Sequence, residues 1–244
     1  HVKTDVYIAS EFRYQKNFLD KKSLVIFISQ SGETADTLAC LRKVKGMDID
    51  TLAIVNVIGS SLAREAHKTI YIKAGPEISV ATTKAYTAQL ATLSLIALNI
   101  GYTNEVISKK KALEIIDSFN KLPEAIKNVI DRKYRDIART FYRKDICFYI
   151  GRGIDYALSM EGSLKLKEIS YIVSLAYPAG ELKHGTISLV DDGTPVISII
   201  TDKDIKEKTI SNVQEVKARG AKCIIISNEE INGYDYLLKV PRLS

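Results

Sequence analysis

The sequence is poor in the residues from which metal centres and disulfide frameworks are built. Its three cysteines, Cys40, Cys147 and Cys223, are odd in number, far apart and set in apolar surroundings, so they have neither metal-ligand spacing nor the density of a cross-linked scaffold. A reducing, cytoplasmic setting fits that usage. Only three histidines occur, His1, His67 and His184, too few for a histidine-rich metal site; no metal and no organic cofactor is expected. No secretory signal is expected. The apolar stretch from Ala85 to Asn99, interrupted by Thr87, Gln89, Thr92 and Ser94, is too short to span a bilayer, so no membrane partner is expected. Two nucleotide signatures are missing as well. No glycine-rich loop ends in Gly-Lys-Ser or Gly-Lys-Thr, and Gly151-Arg152-Gly153 would need a further glycine where Tyr156 stands to make a dinucleotide fingerprint.

What is present fits a globular protein large enough for two moderate domains: 244 residues, 46% hydrophobic and 26% charged. The net charge of +6, from 35 basic and 29 acidic residues, is concentrated in helix-like runs such as Lys109-Lys110-Lys111 and Arg132-Lys133-Tyr134-Arg135. Such runs read as solvated helix faces. Neither a helix-turn-helix nor an RNA-binding signature accompanies them, and no nucleic-acid partner is expected.

Apolar, β-branched runs alternate with amphipathic segments. Strands are predicted at Val6 to Ala9, Leu24 to Ile28, Thr51 to Val55 and Thr69 to Ile72, pairing as a mostly parallel sheet. Helices are predicted at Thr34 to Lys45, Ser60 to Ala66 and Val80 to Asn99. From Asn104 to Arg143 the pattern is helical with a break at Pro123, and then the rhythm restarts: strand Ile146 to Ile150, helix Ile154 to Ile172, strand Val196 to Ile200, helix Lys206 to Arg219, strand Cys223 to Ile226. The expected organisation is a first lobe over residues 1–103, a helical connector over 104–143 and a second lobe over 144–244.

The most informative turn is Ser29-Gln30-Ser31-Gly32-Glu33-Thr34, between the Leu24 strand and the Thr34 helix. A strand that turns at a glycine into a helix aims free backbone N–H groups and the positive end of the helix dipole at one point. The dipole contributes only about 0.3–1 kcal/mol when exposed. Affinity for an anion would come mainly from charge-assisted hydrogen bonds, roughly 1.5–3 kcal/mol each, which Ser29, Ser31 and Thr34 can supply. The plainer reading is a helix N-cap, for which one Ser or Thr suffices.

The turn resembles the phosphosugar loop of the sugar isomerase (SIS) fold. Lys165-Leu166-Lys167-Glu168-Ile169-Ser170-Tyr171 and Ala179-Gly180-Glu181-Leu182-Lys183-His184-Gly185 resemble, more narrowly, the isomerase half of the glucosamine-6-phosphate synthases, and the resemblance covers nearly the whole chain. It implies an α/β fold of two SIS-type doubly wound lobes, each a mostly parallel sheet flanked by helices. It also implies binding of fructose 6-phosphate and its conversion to glucosamine 6-phosphate with glutamine-derived ammonia, a glutaminase domain as partner, and a homodimer. Phosphate would be held by Ser29, Gln30, Ser31 and Thr34. Sugar hydroxyls would be bound by the Val80 backbone and the Thr82 side chain, a threonine where the family has serine, though the surrounding hydroxyl residues also fit ordinary capping by Ser79.

Catalysis would fall to Glu168, Lys165 and His184. At 100° per residue, Leu158, Gly162, Leu166, Ile169 and Val173 form a stripe expected to face the core, with Glu161, Lys165 and Glu168 beside it and Lys167 on the wet side. The lysine and glutamate also fit a simple ion pair three residues apart. In the resemblance, Glu168 moves a proton between adjacent sugar carbons, work suited to a partly buried carboxylate. Lys165 steadies the developing oxyanion, and His184 opens the ring, an imidazole being able to donate and accept near neutral pH. A lone histidine before a glycine also fits a local hydrogen-bonding role, and Thr186 stands where the family has proline. Relatives begin with a further strand and helix and end in a tail whose lysine holds substrate, so truncation at both ends is expected; no nucleophilic cysteine lies near the start for a glutaminase half. The alternatives are a non-catalytic phosphosugar-sensing module, which needs the turn but not Lys165, Glu168 and His184, and a simple phosphosugar isomerase.

Overall fold

The computed structural model describes residues 2–16 and 18–243, leaving His1 outside. It divides into two compact units between Ser108 and Lys109. The first contains α1 (Ala9–Phe12), β1 (Leu24–Ser29), α2 (Ala35–Lys45), β2 (Asp50–Val55), α3 (Ser61–Glu65), β3 (Lys68–Tyr71) and α4 (Lys84–Thr103). Its sheet runs β1-β2-β3, all parallel, with Leu24 opposite Asp50 and Leu52 opposite Lys68. The core lies where α2 covers this sheet: Cys40, Leu41 and Val44 pack on Phe27, Ala53 and Val55, joined by Leu62 of α3.

The second unit contains α5 (Lys109–Ile130), α6 (Arg135–Thr140), β4 (Ile146–Gly151), α7 (Ile154–Ser170), β5 (Val173–Pro178), β6 (Pro195–Ile200), α8 (Lys206–Lys217), β7 (Lys222–Ser227) and β8 (Tyr236–Lys239). Its five strands are parallel in the order β5-β4-β6-β7-β8. That is the flavodoxin-like doubly wound order, whose switch point lies between β4 and β6. Every residue of β6 is buried, as expected of a central strand covered on both faces. The α/β architecture of parallel sheets flanked by helices is the one expected.

Several local expectations fail for identifiable reasons. Val6 to Ala9 is not a strand: Val6 and Ile8 are 91% and 73% exposed. β-propensity without a neighbouring ladder does not make a strand. The segment instead leads into α1, which buries Phe12 against α2, with Tyr7 packed edge-on against its ring. The helix predicted from Val80 begins at Lys84. There Ser79 only closes a local turn on the Ala81 N–H, and the Glu77 carboxylate accepts the Ala85 N–H at 3.0 Å. No break occurs at Pro123. α5 continues through it because the inward stripe Ala112, Ile115, Phe119, Leu122, Ala125 and Val129 stays in phase while Pro123 itself is exposed. β5 and β8 were not legible in the pattern.

The core face of α7 also differs from expectation. Its buried line is Asp155, Ser159 and Ser163, while Ile169 is 66% exposed and Val173 belongs to β5. Small residues win this face because the helix lies close on the sheet: a Cβ on Gly162 would sit 2.8 Å from the Tyr149 ring. The closest approach is at the turn, where a Cβ on Gly151 would lie 2.5 Å from the backbone of Asp155. Backbone cannot swing aside as a side chain can. Gly151→Ala is therefore expected to destabilise the protein by about 2–3 kcal/mol, the upper range for overpacking. Urea unfolding checks this, and a loss under about 0.5 kcal/mol would contradict the close strand-to-helix approach.

Candidate phosphosugar and proton-transfer sites

In the first unit the parallel ladder brings the carboxyl ends of β1, β2 and β3 to one edge, the edge at which open α/β sheets take ligands. The turn after β1 is ordered by its own hydroxyls. The Gly32 N–H donates to Ser29 Oγ at 2.9 Å, and the Glu33 N–H donates to Ser31 Oγ at 3.2 Å. Each serine accepts one backbone hydrogen and keeps its own O–H to donate. Ser29 is buried, Gln30 and Ser31 are partly buried, and the Gln30 carbonyl accepts the Asn56 N–H at 3.1 Å. Thr34 is the N-cap of α2 in an extended conformation, yet its side chain makes no capping bond. The plain N-cap role is therefore unfilled, and its hydroxyl is exposed at the mouth of the turn.

Val80 and Thr82 lie in the loop between β3 and α4, which leaves the same edge. Asn56, at the end of β2, holds the start of this loop: its side chain accepts the Ala74 N–H at 2.9 Å and donates to the Gly75 carbonyl at 2.6 Å. Val80 is exposed and Thr82 half-buried. Sequence patterning did not single out Asn56 or Glu77. An Asn at a strand end and a Glu eight residues before a helix N–H are legible only once the loops are closed.

In the second unit Lys165 stands between two carboxylates of its own helix, with Nζ 2.6 Å from Glu168 Oε2 and 3.6 Å from Glu161 Oε1. The three side chains are only 20–26% exposed. Desolvation draws the Lys165 ammonium down, but the bond to Glu168 and the charges of both carboxylates outweigh it and hold the lysine above its usual value. Lys167 is exposed. His184 is exposed on the turn after β5, where its N–H donates to the Glu181 carbonyl at 3.0 Å while buried Leu182 pins the turn. Gly185 follows at φ 119°, which favours glycine. No hydrogen bond or ion pair joins His184 to Lys165 or Glu168 among the described residues.

The switch point between β4 and β6 is occupied by the protein itself. Asp155 accepts the Thr201 N–H at 2.8 Å and the Thr201 hydroxyl at 2.5 Å. Beside it Arg152 donates to Asn212 Oδ1 at 2.8 Å, and its guanidinium lies under Gly180, where a Cβ would come within 2.7 Å. The loop that carries His184 thus rests on the β4 turn, an arrangement with no trace in local sequence. All three cysteines are buried and free. Burial pushes the Cys40 and Cys147 thiols up and that of Cys223 to about 11, which makes them poor nucleophiles. Among the described residues no group of three His, Cys, Asp or Glu side chains is placed to hold a metal, and no helix is long and apolar enough to cross a membrane.

Two successive parallel α/β units, the first with a hydroxyl-lined strand-to-helix turn and the second, in the doubly wound order, with a half-buried Glu–Lys–Glu cluster, define a tandem parallel α/β protein. The chain belongs to the SIS domain family, whose model matches residues 2–99 and 140–233, one stretch in each half. It is 50% identical over 230 residues to the glutamine–fructose-6-phosphate aminotransferase (isomerizing) of Caldanaerobacter subterraneus subsp. tengcongensis, covering 93% of this chain and 38% of that protein. With the enzyme of the same name from Clostridium acetobutylicum it shares 46% identity, covering all of this chain and 41% of the relative. Among solved structures, the C-terminal domain of glucosamine-fructose-6-phosphate aminotransferase from Francisella tularensis superposes with a TM-score of 0.89 at 40% identity, covering 97% of this chain and 69% of that one. The chain spans about two fifths of the length of the curated relatives it matches.

The raised value of Lys165 has a consequence for stability. Because the folded value exceeds the unfolded one, the pair's contribution is fully present below the ordinary lysine value near ~10.4 and is lost as pH rises through the raised value. Wild type should exceed Glu168→Gln in urea stability by about 1 kcal/mol at pH 8, with the gap closing as pH rises past the lysine's raised value. A gap that persists undiminished at high pH would show that charge on Lys165 is not its source.

Proposed function

We propose that this chain is the isomerase part of a glutamine-dependent aminotransferase that binds fructose 6-phosphate and, in the complete enzyme, isomerises and aminates it to glucosamine 6-phosphate. A glutaminase domain elsewhere in that enzyme supplies the ammonia. The observation that carries this reading is the clamp of Lys165 on Glu168 at 2.6 Å in a half-buried setting, on a chain whose other unit carries the hydroxyl turn. A module that only sensed phosphosugars would need the turn alone.

Ser29, Ser31 and Thr34 donate hydroxyl hydrogen bonds to the phosphate, with Gln30 beside them and the first N–H groups of α2 behind them. Val80 and Thr82 bind the sugar hydroxyls. His184 passes a proton to the ring oxygen as the sugar opens. Ammonia condenses at the C2 carbonyl with loss of water, and Glu168 then removes the proton from C1 and returns it to C2, which converts ketose to aldose character with the nitrogen retained at C2. Lys165 stabilises the negative charge that develops on oxygen between the two steps. Its contact with Glu161 keeps it charged and in place while Glu168 is transiently neutral.

Because the phosphate turn belongs to the first unit and His184 to the second, we assign the complete site to a two-fold dimer in which His184 serves the neighbouring subunit. The apolar helix α4 supports an interface: of its twenty residues only Ala85 is fully buried, and Leu90, Leu95 and Tyr102 are exposed. In the full-length enzyme Glu168→Gln should retain fructose 6-phosphate binding by calorimetry and lose exchange of the carbon-bound proton with solvent by at least ~100-fold. Undiminished exchange by NMR removes Glu168 from its role. Mixed dimers of Glu168→Gln and His184→Ala subunits should regain activity, since one of their two sites carries neither lesion. A mixture as inactive as its parents would mean that each histidine serves its own subunit.

A further inference from the structure

Glu33 stands inside the phosphate turn, where an unrestrained carboxylate would repel the anion the turn is built to hold. Its Oε1 instead accepts the Ser61 N–H at 2.7 Å, at the first residue of α3. That bond is one of three that tie the turn to the segment after β2. The Gly32 carbonyl accepts the Leu62 N–H at 3.0 Å, and the Gln30 carbonyl accepts the Asn56 N–H. Gly32, at φ 67°, fits so closely against Ser60 that a Cβ there would lie 2.2 Å from the hydroxyl oxygen. Leu62 is fully buried, so α3 is anchored in the core and the turn is anchored to α3.

We infer that Glu33 is the positioning residue of the phosphate turn: its carboxylate, fixed on Ser61, sets the peptide planes that the anion meets and holds its own charge aside. The two peptides that flank Gly32 are already held from inside, the Ser31–Gly32 peptide by Ser29 and the Gly32–Glu33 peptide by Ser31. The bond from Glu33 to Ser61 holds them from outside. The Ser61 backbone bond is also what chiefly keeps the Glu33 carboxyl below the usual carboxylate range, so the residue stays ionised, and bonded, through the neutral range. The donor at the start of α3 is thereby consumed by the protein, and the α2 end of the turn is left as the place for the phosphate.

The inference rests on the turn being a phosphate site, and the experiment separates the two. The chain is titrated calorimetrically with fructose 6-phosphate and with inorganic phosphate, as wild type, Glu33→Ala and Glu33→Gln. The alanine variant should bind both ligands about tenfold more weakly. The glutamine variant, whose amide oxygen can still accept the Ser61 N–H, should stay within about threefold of wild type. Alanine binding equal to or tighter than wild type overturns the role of Glu33, the tighter case showing that its charge merely repels. Equal weakening of both variants overturns it too, because the retained acceptor would have rescued nothing. Wild type binding neither ligand refutes the phosphate site itself and the inference with it. Should the alanine variant not fold, the wild-type Ser61 amide decides: saturation with phosphate should shift its resonance and slow its hydrogen exchange, and an unmoved amide overturns the coupling.

Discussion

A parallel strand can hand its chain to a helix close against the sheet only where no side chain intervenes, and both units depend on that restriction. In the first, Gly32 takes a left-handed conformation with Ser60 packed where a Cβ would stand. In the second, Gly151 lets the backbone of Asp155 approach within contact distance of the strand end. These two close approaches bring α2 and α7 down onto their sheets and aim both helix starts at the carboxyl edges. The hydroxyl turn, the Asp155 to Thr201 contacts and the Arg152 support for the Gly180 loop all follow from where those helices begin.

The two edges are then used differently. At the first, Ser29 and Ser31 satisfy backbone donors while retaining hydrogens to give, and the sheet edge carries no cation of its own in the turn. The phosphate proposed for this turn would be recognised by counted hydrogen bonds rather than by net charge, which favours an anion of defined shape over any polyanion. At the second edge the corresponding space is filled by Asp155, whose carboxylate takes the backbone and hydroxyl hydrogens of Thr201. An anionic side chain already occupies the donors that a phosphate would need. The hydroxyl turn of the first unit, whose three described strands run in the simple order β1-β2-β3, keeps its donors free for the phosphosugar proposed above, whereas at the β4/β6 switch point of the second unit they are taken by the protein itself.

Much of this was legible in the sequence because it rests on local pattern. The β-branched runs of β1, β2, β4, β6 and β7 and the hydroxyl-rich turn are contiguous, and contiguous signals survive without tertiary context. The failures share a cause. Val6 to Ile8 has strand propensity and no ladder to join; Pro123 is a breaker that a continuous inward stripe overrides. The face of α7 was misjudged because apolar residues were taken to mark the core, whereas a helix seated this close needs Ser159, Gly162 and Ser163 beneath it. The partners of Glu33, Asn56 and Arg152 are set by loops that meet only after folding, so no spacing rule could have found them.

The rotation of α7's core face toward Asp155, Ser159 and Ser163 bears on the cluster the helix carries. With the small residues against the sheet, Glu161, Lys165 and Glu168 fall on the side away from it, yet each remains only about a quarter exposed. A carboxylate beneath the sheet would be rigid but out of reach of any substrate, and one on a fully wet face would be reachable but screened. The observed position lies between these limits. It lets Lys165 and Glu168 hold each other at 2.6 Å while leaving one flank partly exposed, and in the proposed reaction the second carboxylate at 3.6 Å would keep a counter-charge beside the ammonium as Glu168 takes up a proton. Three ionisable groups within two turns of one helix would then carry the proposed proton exchange without the helix having to move, because the charge that changes is balanced along the same face.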